Sequence, residues 1–199
     1  MSATAPEPLS FDDAQILHLE SDAIKGHTGK LVVLAPGEDG RALDAALLRS
    51  RAAERIEALP KLRRRVQPGA RGPHWVEADV DLAWHIAEAE SGDPLSDEAF
   101  RRLAGEILAR RLDHERPLWR LDVVALEGGR TGLIARIHHA MADGVTAVRL
   151  LSRLLWDAGA GAARLRRQSQ SRAAAHDASL RASPSATKEG GLVTAVRLP

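Results

Sequence analysis

The segment from Trp119 to Leu155 places the strongest constraint on the fold. Two apolar runs, WRLDVVAL and TGLIARIHH, flank the turn EGGR, and this arrangement is typical of a β-hairpin. The second run leads through AMADG into VTAVRLLSRLL, whose apolar residues recur at helical spacing. The sequence therefore predicts two buried strands followed directly by a helix over 144–157.

Three further segments carry helix signals. FDDAQILHLE is predicted as a short helix capped by Asp12 or Asp13. RALDAALLRSRAAERIEAL is predicted as a helix near 40–59, with Asp39 as its cap. DPLSDEAFRRLAGEILARRLD predicts a helix over 96–112, because Ser96 precedes two acidic residues and an apolar stripe.

The remaining segments indicate strands and loops. GKLVVLAPG is a compact apolar run bounded by glycine and proline, the pattern of a buried strand. The run Arg63, Arg64 and Arg65 fits either an anion site or an edge strand protected by charge, and the edge strand is the favoured interpretation.

Composition sets the domain organisation and excludes several classes of protein. With 44% hydrophobic residues among 199, the chain has enough apolar material for one core. We expect a flexible lead-in over 1–10, one lobe over 11–158, and a linker or disordered tail over 159–199. That tail holds seven Lys or Arg residues against two Asp or Glu residues, so it is basic.

Charge and residue usage narrow the function further. The 28 basic and 27 acidic residues are balanced, and aromatics make up only 3%, which argues against a nucleic-acid binder. The absence of cysteine excludes disulfides and thiolate chemistry. No leader and no apolar run of about 20 residues is present, so we expect a cytoplasmic protein with at most peripheral membrane contact.

His138 and His139 are the candidate reactive groups at the end of the second hairpin strand. Consecutive side chains of a strand point to opposite faces, so the two imidazoles cannot share one task. Asp143 is placed to cap the following helix, and Gly144 permits a tight junction. Each residue also has a purely structural interpretation. A metal site is the weaker alternative because adjacent histidines on a strand diverge.

The stretch HHAMADG fits His-His-x-x-x-Asp-Gly and resembles the signature of the CoA-dependent acyltransferases, a superfamily that includes chloramphenicol acetyltransferase and peptide-synthetase condensation domains. Three other stretches, RPLWRLDVV, VDLAWHI and FDDAQILHLE, are similar to the wax ester synthase/diacylglycerol acyltransferase family. The resemblance covers roughly 11–158. It implies an α/β lobe of the chloramphenicol-acetyltransferase type, with a mixed, largely antiparallel sheet flanked by helices.

The resemblance also implies roles for individual residues. His139 would be the general base that takes the proton from an acceptor alcohol, a task suited to an imidazole with an ordinary pKa near 6.5. His138, Asp143 and Gly144 would maintain the geometry of the motif. Pro117, Leu118 and Trp119 are expected to line a substrate channel or to pack in the core, with packing favoured for Trp119. 

The implied reaction moves a long-chain acyl group from acyl-CoA to diacylglycerol or a fatty alcohol. It uses acyl-CoA as co-substrate, with no bound cofactor and no metal. Family members have a second lobe with Asn-containing motifs, and this chain has no asparagine. We therefore expect a partial form completed by a second-lobe polypeptide. The alternative is a catalytically inactive lobe that binds lipid or acyl-CoA.

Overall fold

A computed structural model describes residues 7–70 and 72–156, together with the backbone of Val193–Val196. Its helices are α1 Phe11–His18, α2 Ala45–Ala53, α3 Leu82–His85, α4 Asp97–Leu108 and α5 Gly144–Leu155. Its strands are β1 Glu7–Pro8, β2 His27–Leu34, β3 Arg64–Gln67, β4 His74–Glu77, β5 Ile86–Glu88, β6 Trp119–Leu126, β7 Arg130–His138 and β8 Val193–Val196. Short 3-10 helices cover 56–58, 60–63 and 127–129.

The strands form two sheets. The larger sheet has the order β5-β6-β7-β2-β8, in which β7 is antiparallel to both β6 and β2. The outer strand β5 is parallel to β6, and the outer strand β8 is parallel to β2. The smaller sheet, β1-β4-β3, is antiparallel. The described chain is therefore a mixed, largely antiparallel α/β lobe, as the sequence predicted.

Helices cover both faces of the larger sheet. Leu133, Ala135 and Ile137 of β7 join the core that includes residues of α2 and α5. Ile134, on the opposite face, packs with Phe100 and other residues of α4. Since β7 is buried along nearly its whole length, its apolar run has to be continuous rather than alternating.

Two features of β7 allow α4 to pack closely against it. Arg136 donates to the Ile107 carbonyl oxygen at 3.2 Å and, from the same face, forms an ion pair with Asp122 at 3.0 Å. Gly132 allows the close approach of the helix, because a Cβ there would lie 2.6 Å from Phe100 Cε2. The end of β7 is thus hydrogen-bonded to the strands β2 and β6 and to the helix α4.

Several boundaries differ from the sequence prediction. Ser10 rather than Asp12 or Asp13 accepts the capping hydrogen bond of α1. The helix near 40–59 begins only at Ala45, capped by Asp44 rather than Asp39, and ends at Ala53, followed by a separate 3-10 turn at Ile56–Ala58. Asp39 instead accepts from the Arg41 backbone N–H in a turn, so the acidic residue with the better local turn chemistry was mistaken for a cap.

The helices α4 and α5 match the prediction more closely. Ser96 caps α4 and Asp143 caps α5. Both helices end sooner than predicted, at Leu108 and Leu155. The hairpin over 119–138 is confirmed.

Two short strands lie within the segments expected to be a lead-in and a tail. Glu7 and Pro8 form the edge strand β1, within the lead-in expected over 1–10. Most of the segment 159–199 lies outside the described residues, but the backbone of Val193–Val196 forms β8 beside β2. The arginine run lies at and before β3, an edge strand as predicted, where Arg63 pairs with Glu57.

None of the helices in the described parts of the chain has both the length and the apolar character needed to cross a membrane.

The cap of α2 provides a direct test of this fold. Asp44 Oδ1 accepts from the Leu47 backbone N–H at 2.7 Å, so Asp44→Ala should lower the free energy of unfolding by about 1 kcal/mol. Asp39→Ala is the matched control and should change it by less than about 0.5 kcal/mol. Urea denaturation of both variants measures the difference. Equal effects would contradict the helix start at Ala45.

Candidate active site

Backbone hydrogen bonds fix the turn that follows β7. The His138 N–H donates to the Leu118 carbonyl oxygen at 2.9 Å, and the His139 N–H donates to the Gly26 carbonyl oxygen at 2.8 Å. The N–H groups of Met141 and Ala142 both donate to the His138 carbonyl oxygen. The two histidines therefore lie on a rigid backbone.

The His138 side chain is completely buried. Its Nδ1 accepts from the Ala140 backbone N–H at 3.1 Å, and its Nε2 lies 2.9 Å from Glu20 Oε1. Because Nδ1 is an acceptor, Nε2 carries the proton of the neutral ring and donates to Glu20. Burial lowers the pKa of His138 to about 4, although the Glu20 carboxylate opposes this shift. His138 is thus a neutral structural imidazole.

His139 has the opposite environment. It follows the last residue of β7 and its side chain is exposed. The divergence of adjacent side chains at the strand end places one imidazole in the interior and the other at the surface, as the strand geometry predicted. Of the two, His139 is the one that a substrate can reach.

Asp143 and Gly144 form the start of α5. Asp143 Oδ1 accepts from the Thr146 backbone N–H at 2.7 Å, and this hydrogen bond holds the pKa of Asp143 below its ordinary value. Gly144 does not adopt a positive φ, and a Cβ there would lie 3.6 Å from Lys30 Nζ. The junction therefore has space for a side chain at this position, and the expectation that its backbone needs a glycine was wrong.

Pro117, Leu118 and Trp119 are all buried beside the motif. The Trp119 indole Nε1–H donates to the Leu62 carbonyl oxygen at 2.9 Å, and its ring stacks on His85 with centroids 4.3 Å apart. The His85 Nδ1–H donates to the Trp119 carbonyl oxygen at 2.7 Å. Packing therefore accounts for Trp119, and Leu118 supports the His138 backbone.

A cleft of about 410 Å³ opens beside the turn. The residues that line it include Ser10, Lys61, Arg64, Trp75, Ala140 and Met141. Since Ala140 and Met141 directly follow the histidine pair, the cleft brings solvent-accessible space next to the motif. No local sequence pattern predicts this cleft, because its walls come from α1, the smaller sheet and the motif turn.

Comparison of the sequence with models of protein families assigns the chain to a family. Residues 9–198 match the model of the wax ester synthase/diacylglycerol acyltransferase catalytic domain. The chain belongs to this family.

Individual relatives agree with the family match. The chain is 33% identical over 147 residues to the probable diacylglycerol O-acyltransferase tgs3 of Mycobacterium tuberculosis, a match that covers 71% of this chain and 54% of the relative. It is 27% identical to the wax ester synthase/diacylglycerol acyltransferase structure from Marinobacter aquaeolei VT8, with a TM-score of 0.58, covering 73% of this chain and 37% of that one. This wax ester synthase/diacylglycerol acyltransferase chain thus spans about half, or less, of the length of these relatives.

More distant structures share the fold alone. The starter condensation domain of rhizomide synthetase RzmA in complex with C8-CoA is 14% identical, with a TM-score of 0.58, and the match covers 75% of this chain and 34% of that one. The fold expected from the sequence, that of the chloramphenicol-acetyltransferase type, is therefore shown for this lobe.

Two residues that contact the motif, Glu20 and His114, are not predicted by the sequence patterns. Glu20 lies 118 positions before His138 yet accepts its hydrogen bond, and His114 Nε2 lies 2.8 Å from Glu20 Oε2. Glu20 closes the stretch FDDAQILHLE that carried part of the resemblance, but no local pattern pairs it with either histidine.

This cluster also bears on the metal alternative. One ligand atom from each of Glu20, His114 and His138 lies within 4.8 Å of the others. Metal-bound histidines normally donate from the other ring nitrogen, whereas Nδ1 of His138 accepts from Ala140. A cation bound at His138 Nε2 would move the ring proton to Nδ1. That proton would then face the Ala140 backbone N–H, and two donors cannot form a hydrogen bond with each other. The arrangement therefore favours a hydrogen-bonded relay over a metal site.

Burial of two histidines predicts how stability depends on pH. The pKa of His85 and of His138 is lowered to about 4 by burial, whereas histidines of the unfolded chain titrate near 6.5. Below about pH 6.5 the unfolded chain binds protons that the folded chain does not. The free energy of unfolding should therefore fall from pH 6.5 toward pH 4, by about 1.4 kcal/mol per pH unit for each group.

Urea denaturation at several pH values measures this slope. His138→Gln and His85→Leu should each reduce it by one group, and His18→Gln, at an exposed position, serves as the control. A slope unchanged in both variants would show that neither histidine is held neutral.

Proposed function

We propose that this lobe carries the general base of an O-acyltransferase that moves a long-chain acyl group from acyl-CoA to diacylglycerol or a fatty alcohol. The products would be triacylglycerol or a wax ester. The observation that carries the proposal is the exposed imidazole of His139, held on a fixed turn beside a buried partner histidine. Membership of the wax ester synthase/diacylglycerol acyltransferase family supports the substrate class.

His139 would perform the proton transfer of this reaction. Its ring accepts the proton of the acceptor hydroxyl as that oxygen attacks the thioester carbonyl carbon. The carbon–sulfur bond then breaks, and the coenzyme A thiolate takes the proton from the imidazolium. No acyl-enzyme is needed. Acyl-CoA is a co-substrate, and the mechanism uses no bound cofactor.

The other motif residues would hold this geometry. The backbone of His138 and the helix cap of Asp143 fix the two ends of the loop that carries His139. Gly144 begins the helix that Asp143 caps, and so continues the chain from this loop into α5. Pro117 and Trp119 would pack in the core beside the motif and would not take part in the reaction.

We further propose that a second-lobe polypeptide completes the site. The chain spans 54% of tgs3 and 37% of the Marinobacter structure. Val145 and Val148 of α5 are 64% and 39% exposed, so apolar surface lies directly after the motif. A base open to water on one side lacks the enclosed environment that favours acyl transfer over hydrolysis. A covering lobe would supply it.

The substrates also suggest where the protein acts. Diacylglycerol and fatty alcohols reside in membranes, so we propose a cytoplasmic protein with peripheral contact at the inner face. The basic composition of 159–199 would assist this contact at about 1 kcal/mol for each basic residue close to anionic lipid.

Replacement of His139 tests the proposal. His139→Ala should lower ester formation from radiolabelled acyl-CoA by about 100-fold or more, because the general base is lost. The assay uses diacylglycerol and a long-chain alcohol as acceptors, first with this chain alone and then with a second-lobe polypeptide of a relative. His18→Ala, at an exposed position on α1, is the control.

The outcomes separate the two functions expected from the sequence. Activity of His139→Ala equal to wild type would exclude the assignment of the base. Acyl-CoA binding without ester formation in either assay would favour a binding lobe that has lost turnover.

A further inference from the structure

The Glu20 carboxylate connects two imidazoles behind the motif turn. Oε1 lies 2.9 Å from His138 Nε2, and Oε2 lies 2.8 Å from His114 Nε2. The Glu20 side chain is only 5% exposed. Its carboxylate is therefore largely removed from water, and both of its oxygens are engaged by ring nitrogens.

The hydrogen bonds of this cluster converge on the Glu20 carboxylate. The Ala140 backbone N–H donates to His138 Nδ1, which leaves the ring proton on Nε2, facing Glu20. His114 Nε2 then donates to the second carboxylate oxygen. The chain His114–Glu20–His138–Ala140 thus links the loop before β6, the segment after α1 and the motif turn itself.

Gly26 makes room for this chain of hydrogen bonds. It has a φ of 67°, a conformation that favours glycine, and a Cβ at this position would collide with His138 Nε2. Its carbonyl oxygen accepts from the His139 N–H at 2.8 Å. The same glycine therefore admits the buried ring and holds the backbone of the exposed one.

We propose that Glu20 and His114 are positioning residues for acyl transfer: they lock the His138 ring, and through it the turn that aims His139. This inference rests on the proposed function. Neither residue reacts with substrate. Each acts through His138, whose ring is hydrogen-bonded to the backbone of Ala140, one residue beyond His139. A small displacement of a catalytic group is enough to slow a reaction by about 100-fold.

Substitutions of Glu20 and His114 test the relay by kinetics. Glu20→Ala should lower kcat about 100-fold with little change in KM, because substrate binding is not altered. Glu20→Gln should recover most of this loss, since its amide oxygen still accepts from His138 Nε2–H. His114→Ala should show a smaller loss of about 10-fold. Glu106→Ala and His18→Ala, at exposed positions, are the matched controls.

Hydrogen exchange of the Ala140 amide tests the relay without any activity. The hydrogen bond lost in Glu20→Ala is the one between His138 Nε2–H and the Glu20 carboxylate. Loss of a hydrogen bond to a charged group corresponds to a factor of about 10 to 100, which we expect as faster exchange of the Ala140 amide. We expect this acceleration in Glu20→Ala, a partial effect in His114→Ala and none in the controls. If Glu20→Ala does not fold, His114→Ala provides the comparison with a milder change, and Glu20→Gln should exchange at close to the wild-type rate.

The two measurements distinguish failure of this inference from failure of the proposed function. Wild-type exchange at Ala140 in both Glu20→Ala and His114→Ala, or unchanged kcat in both, would overturn the relay. A wild-type lobe that stays inactive with the second-lobe polypeptide present would overturn the proposed function, while the exchange data still decide on the role of Glu20 and His114. Stoichiometric Zn²⁺ binding that is lost in His114→Ala would instead assign the cluster to a metal.

Discussion

The central strand β7 is the constraint on which the rest of the lobe depends. It pairs with β6 on one side and β2 on the other, and helices cover both of its faces. A strand bonded on both edges and buried on both faces has one register. A slip of one residue would move every side chain of the strand to the opposite face of the sheet, against the wrong helices. The position of His138 and the start of the His139 turn are therefore set by the core of the lobe.

Burial of His138 imposes a second constraint. A ring N–H taken out of water without an acceptor costs about 1–3 kcal/mol, so the interior must supply a partner for each ring nitrogen. The backbone of Ala140 and the carboxylate of Glu20 do this. The buried Glu20 carboxylate is in turn stabilised by the ring nitrogens of His114 and His138 and by the Arg111 guanidinium, 3.9 Å from Oε2. The polar network behind the motif is thus a consequence of placing one imidazole in the core.

Local sequence patterns predicted the parts of the fold that depend on neighbours along the chain. The hairpin over 119–138 and the caps Ser96 and Asp143 follow from turn, strand and cap signals within a few residues. The start of α2 was missed because Asp39 and Asp44 are both acceptable caps, and only packing of Ala45 and Leu48 in the core selects the second. Glu20, Gly26 and His114 were missed because their contacts to the motif are non-local.

The division of labour between the two histidines follows from strand geometry. Adjacent residues on a strand point to opposite sides, so two consecutive histidines are the shortest sequence that buries one imidazole and exposes the other. The buried ring is held neutral by burial and contributes hydrogen bonds to the turn. The exposed ring shares that turn without sharing its environment, so solvent and small molecules can reach it. Separating the two rings in this way allows a buried anchor and an exposed imidazole to lie on adjacent residues.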